Sequence, residues 1–94
     1  MFKAGQLIGI RKGHYDKLGS VDNSNKNVAI INPERPVREG TVVMFLWSRS
    51  KNFSSMAARK YLKFRLFVLH KGRVFATTWN DAESHHANWK VENV

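Results

Sequence analysis

The chain has 94 residues, with apolar types at 43%, which is enough for one domain and one core but not for a large enzyme cleft. Sixteen Lys and Arg face seven Asp and Glu, a net charge of +9 with histidines neutral, and there is no cysteine. Disulfide frameworks and thiolate metal sites are therefore excluded, and the basic excess points to a polyanionic partner.

Taken from the N-terminus, residues 5–12 read as a first strand, ended by Gly13. Residues 14–18 are expected to form a loop before Gly19, followed by a short strand around 20–22 and a polar turn over 23–27. Residues 28–31 (Val-Ala-Ile-Ile) read as a strand, and residues 32–36 as a loop, because Pro33 and Pro36 cannot both donate to a ladder. The unbroken apolar run over 41–47 predicts a central strand buried on both faces. Asn52 is a predicted N-cap for a helix over 53–62. Phe53, Met56, Ala57, Tyr61 and Phe64 fall at helical spacing there, with Ser55, Arg59 and Lys63 on another side.

Two β-prone runs, 63–70 and 73–79, flank Lys71-Gly72 and predict a tight hairpin. That turn sets Phe67 opposite Ala76. One face then carries Phe64, Leu66, Val68, Phe75 and Trp79 as a core face, and the other carries Lys63, Arg65, Phe67, Leu69, Val74, Ala76 and Thr78. Residues 80–83 are expected to cap a last short helix, with Trp89 and Val91 folding back on the core. The expected fold is α+β, a single domain over 1–94. It would be a small, mostly antiparallel sheet or an SH3-like, partly open barrel with one or two short helices. No N-terminal apolar run has the length of a signal peptide, and no stretch approaches the roughly 20 apolar residues of a spanning helix. The expectation is a cytoplasmic protein with no membrane partner.

Between Glu39 and Asp81 there is no acidic residue. That interval holds Arg49, Lys51, Arg59, Lys60, Lys63, Arg65, Lys71 and Arg73, so the positive field belongs to the middle of the chain. With Phe67 beside Arg65 and Lys63, a small cross-strand neighbour at Ala76 would leave its ring open for a stacked base; the alternative is that both faces are covered and Phe67 is core, since Leu69 and Val74 also need burying. These nine residues form the candidate site for RNA or single-stranded nucleic acid, ahead of duplex DNA. The alternative is a protein-protein inhibitor or regulator that docks the basic face onto an acidic partner, anchored by Trp47 or Phe67.

The segment Gly5-x-x-Ile8-x-Ile10-x-x-Gly13, followed by Gly19-x-Val21, resembles the KOW element of SH3-like barrels in ribosomal and transcription-elongation proteins. The resemblance covers residues 5–21. It departs from the pattern by one residue fewer between Gly13 and Gly19, and by Gln6 where an acidic residue is common. It implies a small β-barrel with Arg11, Lys12, His14 and Lys17 on an RNA- or protein-facing loop.

No catalytic constellation is legible. His85 and His86 are adjacent and point apart on either a helix or a strand, and no carboxylate stands at a familiar zinc spacing. No cofactor, metal or small-molecule substrate is expected, and the protein is not expected to be an enzyme. The one enzymatic alternative is a ribonuclease using His70, Lys71 and Arg73, with Tyr61 and His14 nearby.

Overall fold

The computed structural model describes residues 2–22, 29–54, 60–81 and 87–92, with side chains described throughout except at 22, 29–34, 52–54, 60 and 61. Seven strands run through these segments: β1 Leu7–Ile10, β2 Tyr15–Asp22, β3 Ala29–Arg38, β4 Val42–Ser54, β5 Lys60–His70, β6 Arg73–Thr77 and β7 Trp89–Val91. They form one sheet in the order β3-β2-β6-β5-β4-β1-β7, with every pairing antiparallel. The sheet curls over an inner core of Ile8, Ile10, Leu18, Val43, Phe45, Leu66, Val68 and Trp89.

Most of the described chain is strand, which overturns the α+β expectation. Among the described residues no helix forms an element; Ala87 and Asn88 alone carry helical backbone, just before β7. At both ends of the helix expected over 53–62 the described residues form ladder instead, with β4 and β5 paired through Phe53↔Tyr61 and Ser54↔Lys60. Cross-strand pairing here wins over a helical spacing. Met56, Ala57 and Arg59 lie outside the described residues, as does most of the last expected helix.

Three loop and burial expectations are also corrected. Residues 15–18 belong to β2 rather than to a loop. Pro33 and Pro36 lie within β3; this strand occupies the sheet edge, where proline is tolerated, and its register against β2 shifts between Leu18 and Ser20. The 41–47 run is not buried on both faces: Val43 and Phe45 are buried, whereas Val42 and Trp47 are exposed.

The hairpin forms as expected, with Phe67↔Ala76, Val68↔Phe75, Leu69↔Val74 and His70↔Arg73 in register. Lys71 and Gly72 both take positive φ, 51° and 75°, the backbone of a two-residue turn matched to strand twist. Gly72→Ala is expected to cost about 1 kcal/mol or somewhat more, read as a shift in the denaturant midpoint, since a Cβ disfavours that conformation.

One polar link crosses the core. Trp89 Nε1 donates to Asp16 Oδ2 at 2.8 Å, and both side chains are buried. Asp16 Oδ1 also accepts from the Lys17 amide at 2.7 Å. A second buried bond ends the β5–β6 ladder, where the Leu66 amide donates to Thr77 Oγ1 at 3.0 Å. Thr77→Val keeps the shape and removes the acceptor, so about 1–3 kcal/mol of stability should be lost in urea unfolding.

Candidate nucleic-acid interface

The β4–β5 ribbon has two faces, and its outer face is set by two irregularities. In the first, Phe45 pairs with Val68 but Trp47 pairs with Phe67, so Leu46 is an extra residue in β4. One extra residue reverses which side the following side chains take. Trp47 is thereby carried away from the core side of Phe45 and onto the side of Phe67.

The second lies beyond β6. Leu18 and Leu66 both meet Thr77 across the sheet, yet Phe64 pairs with Asn80, through Phe64 N–H to Asn80 O at 2.6 Å and the reverse bond at 2.9 Å. The chain has gained a residue between these points. Trp79, expected on the core face, is turned to the side of Arg65, whose guanidinium lies 4.6 Å from the centre of its ring. Both bulges thus deliver a tryptophan to the same outer face.

On that face Trp47 lies flat on Phe67, with ring centres 4.7 Å apart and planes 11° from parallel. Trp47 remains 42% exposed, whereas Phe67 is 1% exposed. Phe67 is therefore the covered, lower ring of a stack rather than an open one, in line with the alternative that buries it, and Trp47 presents the accessible π-face. The Arg49 guanidinium stands 6.0 Å from the Phe67 ring centre, within cation–π range.

The cations follow in two rows. Arg49 is directly opposite Arg65, and Lys51 is directly opposite Lys63. Like charges facing each other across a ladder oppose folding by up to about 1 kcal/mol per pair. Here two such pairs sit side by side, next to the aromatic stack.

The nine residues singled out in the sequence therefore separate. Arg49, Lys51, Lys63, Arg65 and Phe67 are brought together on the outer face. Lys71 and Arg73 are at the β5–β6 tip, roughly 20 Å along β5 from Arg65 at ~3.3 Å per residue, and Arg73 faces His70. Lys60 ends the β4–β5 ladder opposite Ser54, and Arg59 lies outside the described residues. Trp47 as a stacking surface and Trp79 as the support of Arg65 are not foreseen from the sequence, since nothing in composition marks a bulge.

Other candidate chemistry is sparse. His14 Nδ1 lies 3.2 Å from Asn88 Oδ1 on an exposed rim, while His70 packs near Phe75 with ring centres 6.1 Å apart. Among the described residues no group of three His, Cys, Asp or Glu is placed to hold a metal ion, and no helix is long and apolar enough to cross a membrane. No protein-family model, curated protein or solved structure matches the chain.

Proposed function

We propose that the protein binds RNA or single-stranded DNA along the outer face of β4 and β5. The observation that carries this reading is the half-exposed Trp47 ring, held flat on buried Phe67 beside four cations in two like-charge pairs. A base laid on Trp47 gains stacking without induced order, because Phe67 already fixes the ring. Phosphates of the same strand would follow Arg49, Arg65, Lys51 and Lys63, releasing counterions and relieving the repulsion across each pair. Arg65 is steadied for this role by the Trp79 ring beneath it. The net charge of +9 adds long-range attraction for any nucleic acid.

This arrangement has a test with two readouts of opposite sign. In the double variant Arg49→Glu, Lys51→Glu, each new carboxylate faces a cation, so two repulsive cross-strand pairs become attractive. Stability should hold or rise, by about 0.2–1 kcal/mol per pair. Binding of a labelled single strand should fall steeply, and the slope of log affinity against log salt should shrink by about 0.7 for each phosphate no longer neutralised. Reversing Lys3 and Lys90, away from this face, should leave the slope nearly unchanged. Unchanged nucleic-acid affinity in the double variant would overturn the reading. Salt-independent capture of one acidic protein would instead assign the face to a protein partner.

A further inference from the structure

A second basic site lies on the opposite side of the sheet, where the β5–β6 tip and β3 rise on either side of β2. They enclose a groove of about 400 Å³, within the size range of small-ligand sites. Its floor includes Leu18, which is buried, and the ring of Phe75, which packs against the core. One wall carries Arg35 from β3; the other carries His70, Lys71 and Arg73. Among the described residues that line it there is no carboxylate.

The strand register explains this composition. Leu18 pairs with Arg35 on one side and Thr77 on the other, so Arg35 shares the inner face of the core row. Ser20 pairs with Phe75, and His70 pairs with Arg73 one step nearer the tip. Alternation along β6 puts Arg73 on the same face as Phe75 and Thr77, away from Val74 and Ala76. Cations from two separate hairpins therefore converge over an apolar, aromatic floor.

We propose that this groove binds a planar organic phosphate of nucleoside-monophosphate type. The phosphate would take charge-assisted hydrogen bonds from Arg35 and Arg73, with Lys71 adding charge at the rim. The flat ring would lie against Phe75 and His70, whose ring planes are tilted by 59° and form a shallow corner rather than a flat shelf. A bare anion would leave this apolar floor uncovered, and a neutral aromatic would leave the arginines unpaired, so both parts of the ligand are needed. The site is independent of Trp47 and of the outer-face reading.

The test is an amide-shift NMR titration with three probes used separately: adenosine monophosphate, adenosine and inorganic phosphate. Adenosine monophosphate should give saturable shifts at Leu18, Ser20 and residues 70–75, and bind at least about tenfold more tightly than either of the others. Arg35→Ala with Arg73→Ala should lower that affinity about tenfold or more, whereas Trp47→Ala should leave it unchanged. Phe75→Leu, which keeps an apolar floor, should weaken the nucleotide and spare inorganic phosphate. The proposal is overturned if the shifts map to the outer face of β4 and β5, if inorganic phosphate binds as tightly as the nucleotide, or if no probe binds in the millimolar range. Loss of nucleotide binding in Trp47→Ala, with that variant still folded, would also overturn it.

Discussion

Trp47→Ala is expected to weaken binding of a single-stranded oligonucleotide by roughly 5- to 150-fold, the effect of losing one stacked base. Affinity for a duplex of the same sequence should change little, because paired bases cannot lie on the ring. The fold should survive: Trp47 is the upper, half-exposed member of its stack, and an aromatic pair adds about 0.5–1.5 kcal/mol beyond area burial. Phe67→Ala behaves differently, since that ring is buried under Trp47 and its removal costs about 3–5 kcal/mol. The two neighbouring rings thus separate binding from stability. Unfolding curves and both affinities, measured on the same two variants, check the assignment; equal losses for single strand and duplex in Trp47→Ala would remove the stacking role.

The largest loss of stability is expected from Trp89→Ala. This side chain is 1% exposed, belongs to the main core cluster, and anchors the three-residue strand β7 against β1. Truncation leaves a cavity costing about 3–5 kcal/mol and also removes the donor to the buried Asp16 carboxylate. For a domain of this size that corresponds to roughly a 10–40 °C fall in melting temperature. Asp16→Ala should cost less, about 1–3 kcal/mol, because the core volume is kept while the Trp89 N–H loses its acceptor. Calorimetric melting of both variants checks the order. If Asp16→Ala is the more damaging, the carboxylate rather than the indole organises this end of the sheet.

The β5–β6 hairpin was legible because its information is local. Lys71-Gly72 between two β-prone runs sets turn and register together, and Phe67↔Ala76 follows from counting alone. The β4–β5 ribbon was not legible in the same way, although its signal is present. From Trp47 to Ser54 the chain alternates large and small polar residues, Trp-Ser-Arg-Ser-Lys-Asn-Phe-Ser, a period of two that outweighs the helical spacing of Phe53, Met56 and Ala57. The prolines of β3 misled because edge position, which makes them acceptable, is a property of the whole sheet and not of the segment.

The candidate site was legible as charge and illegible as geometry. The acid-free interval from Glu39 to Asp81 marked these cations as a group, and the register joins Arg49 to Arg65 and Lys51 to Lys63. Which aromatic ring faces outward depended on single extra residues near Leu46 and Trp79. A one-residue slip reverses a strand's faces without altering its composition. For the same reason Lys71 and Arg73, counted with the others by charge, stand over a different groove on the other side of the sheet.

The proposed role of the outer face of β4 and β5 is to hold a single strand through both base stacking and phosphate neutralisation. The most direct measurement is fluorescence anisotropy of a labelled single-stranded oligonucleotide, titrated with the protein across a range of salt concentrations beside its duplex. The expected result is tighter binding of the single strand, with log affinity falling linearly in log salt at a slope of about −2 to −3, as about 0.7 per neutralised phosphate gives for three or four phosphates. A complex that forms equally well with the duplex, or whose affinity ignores salt, would contradict it.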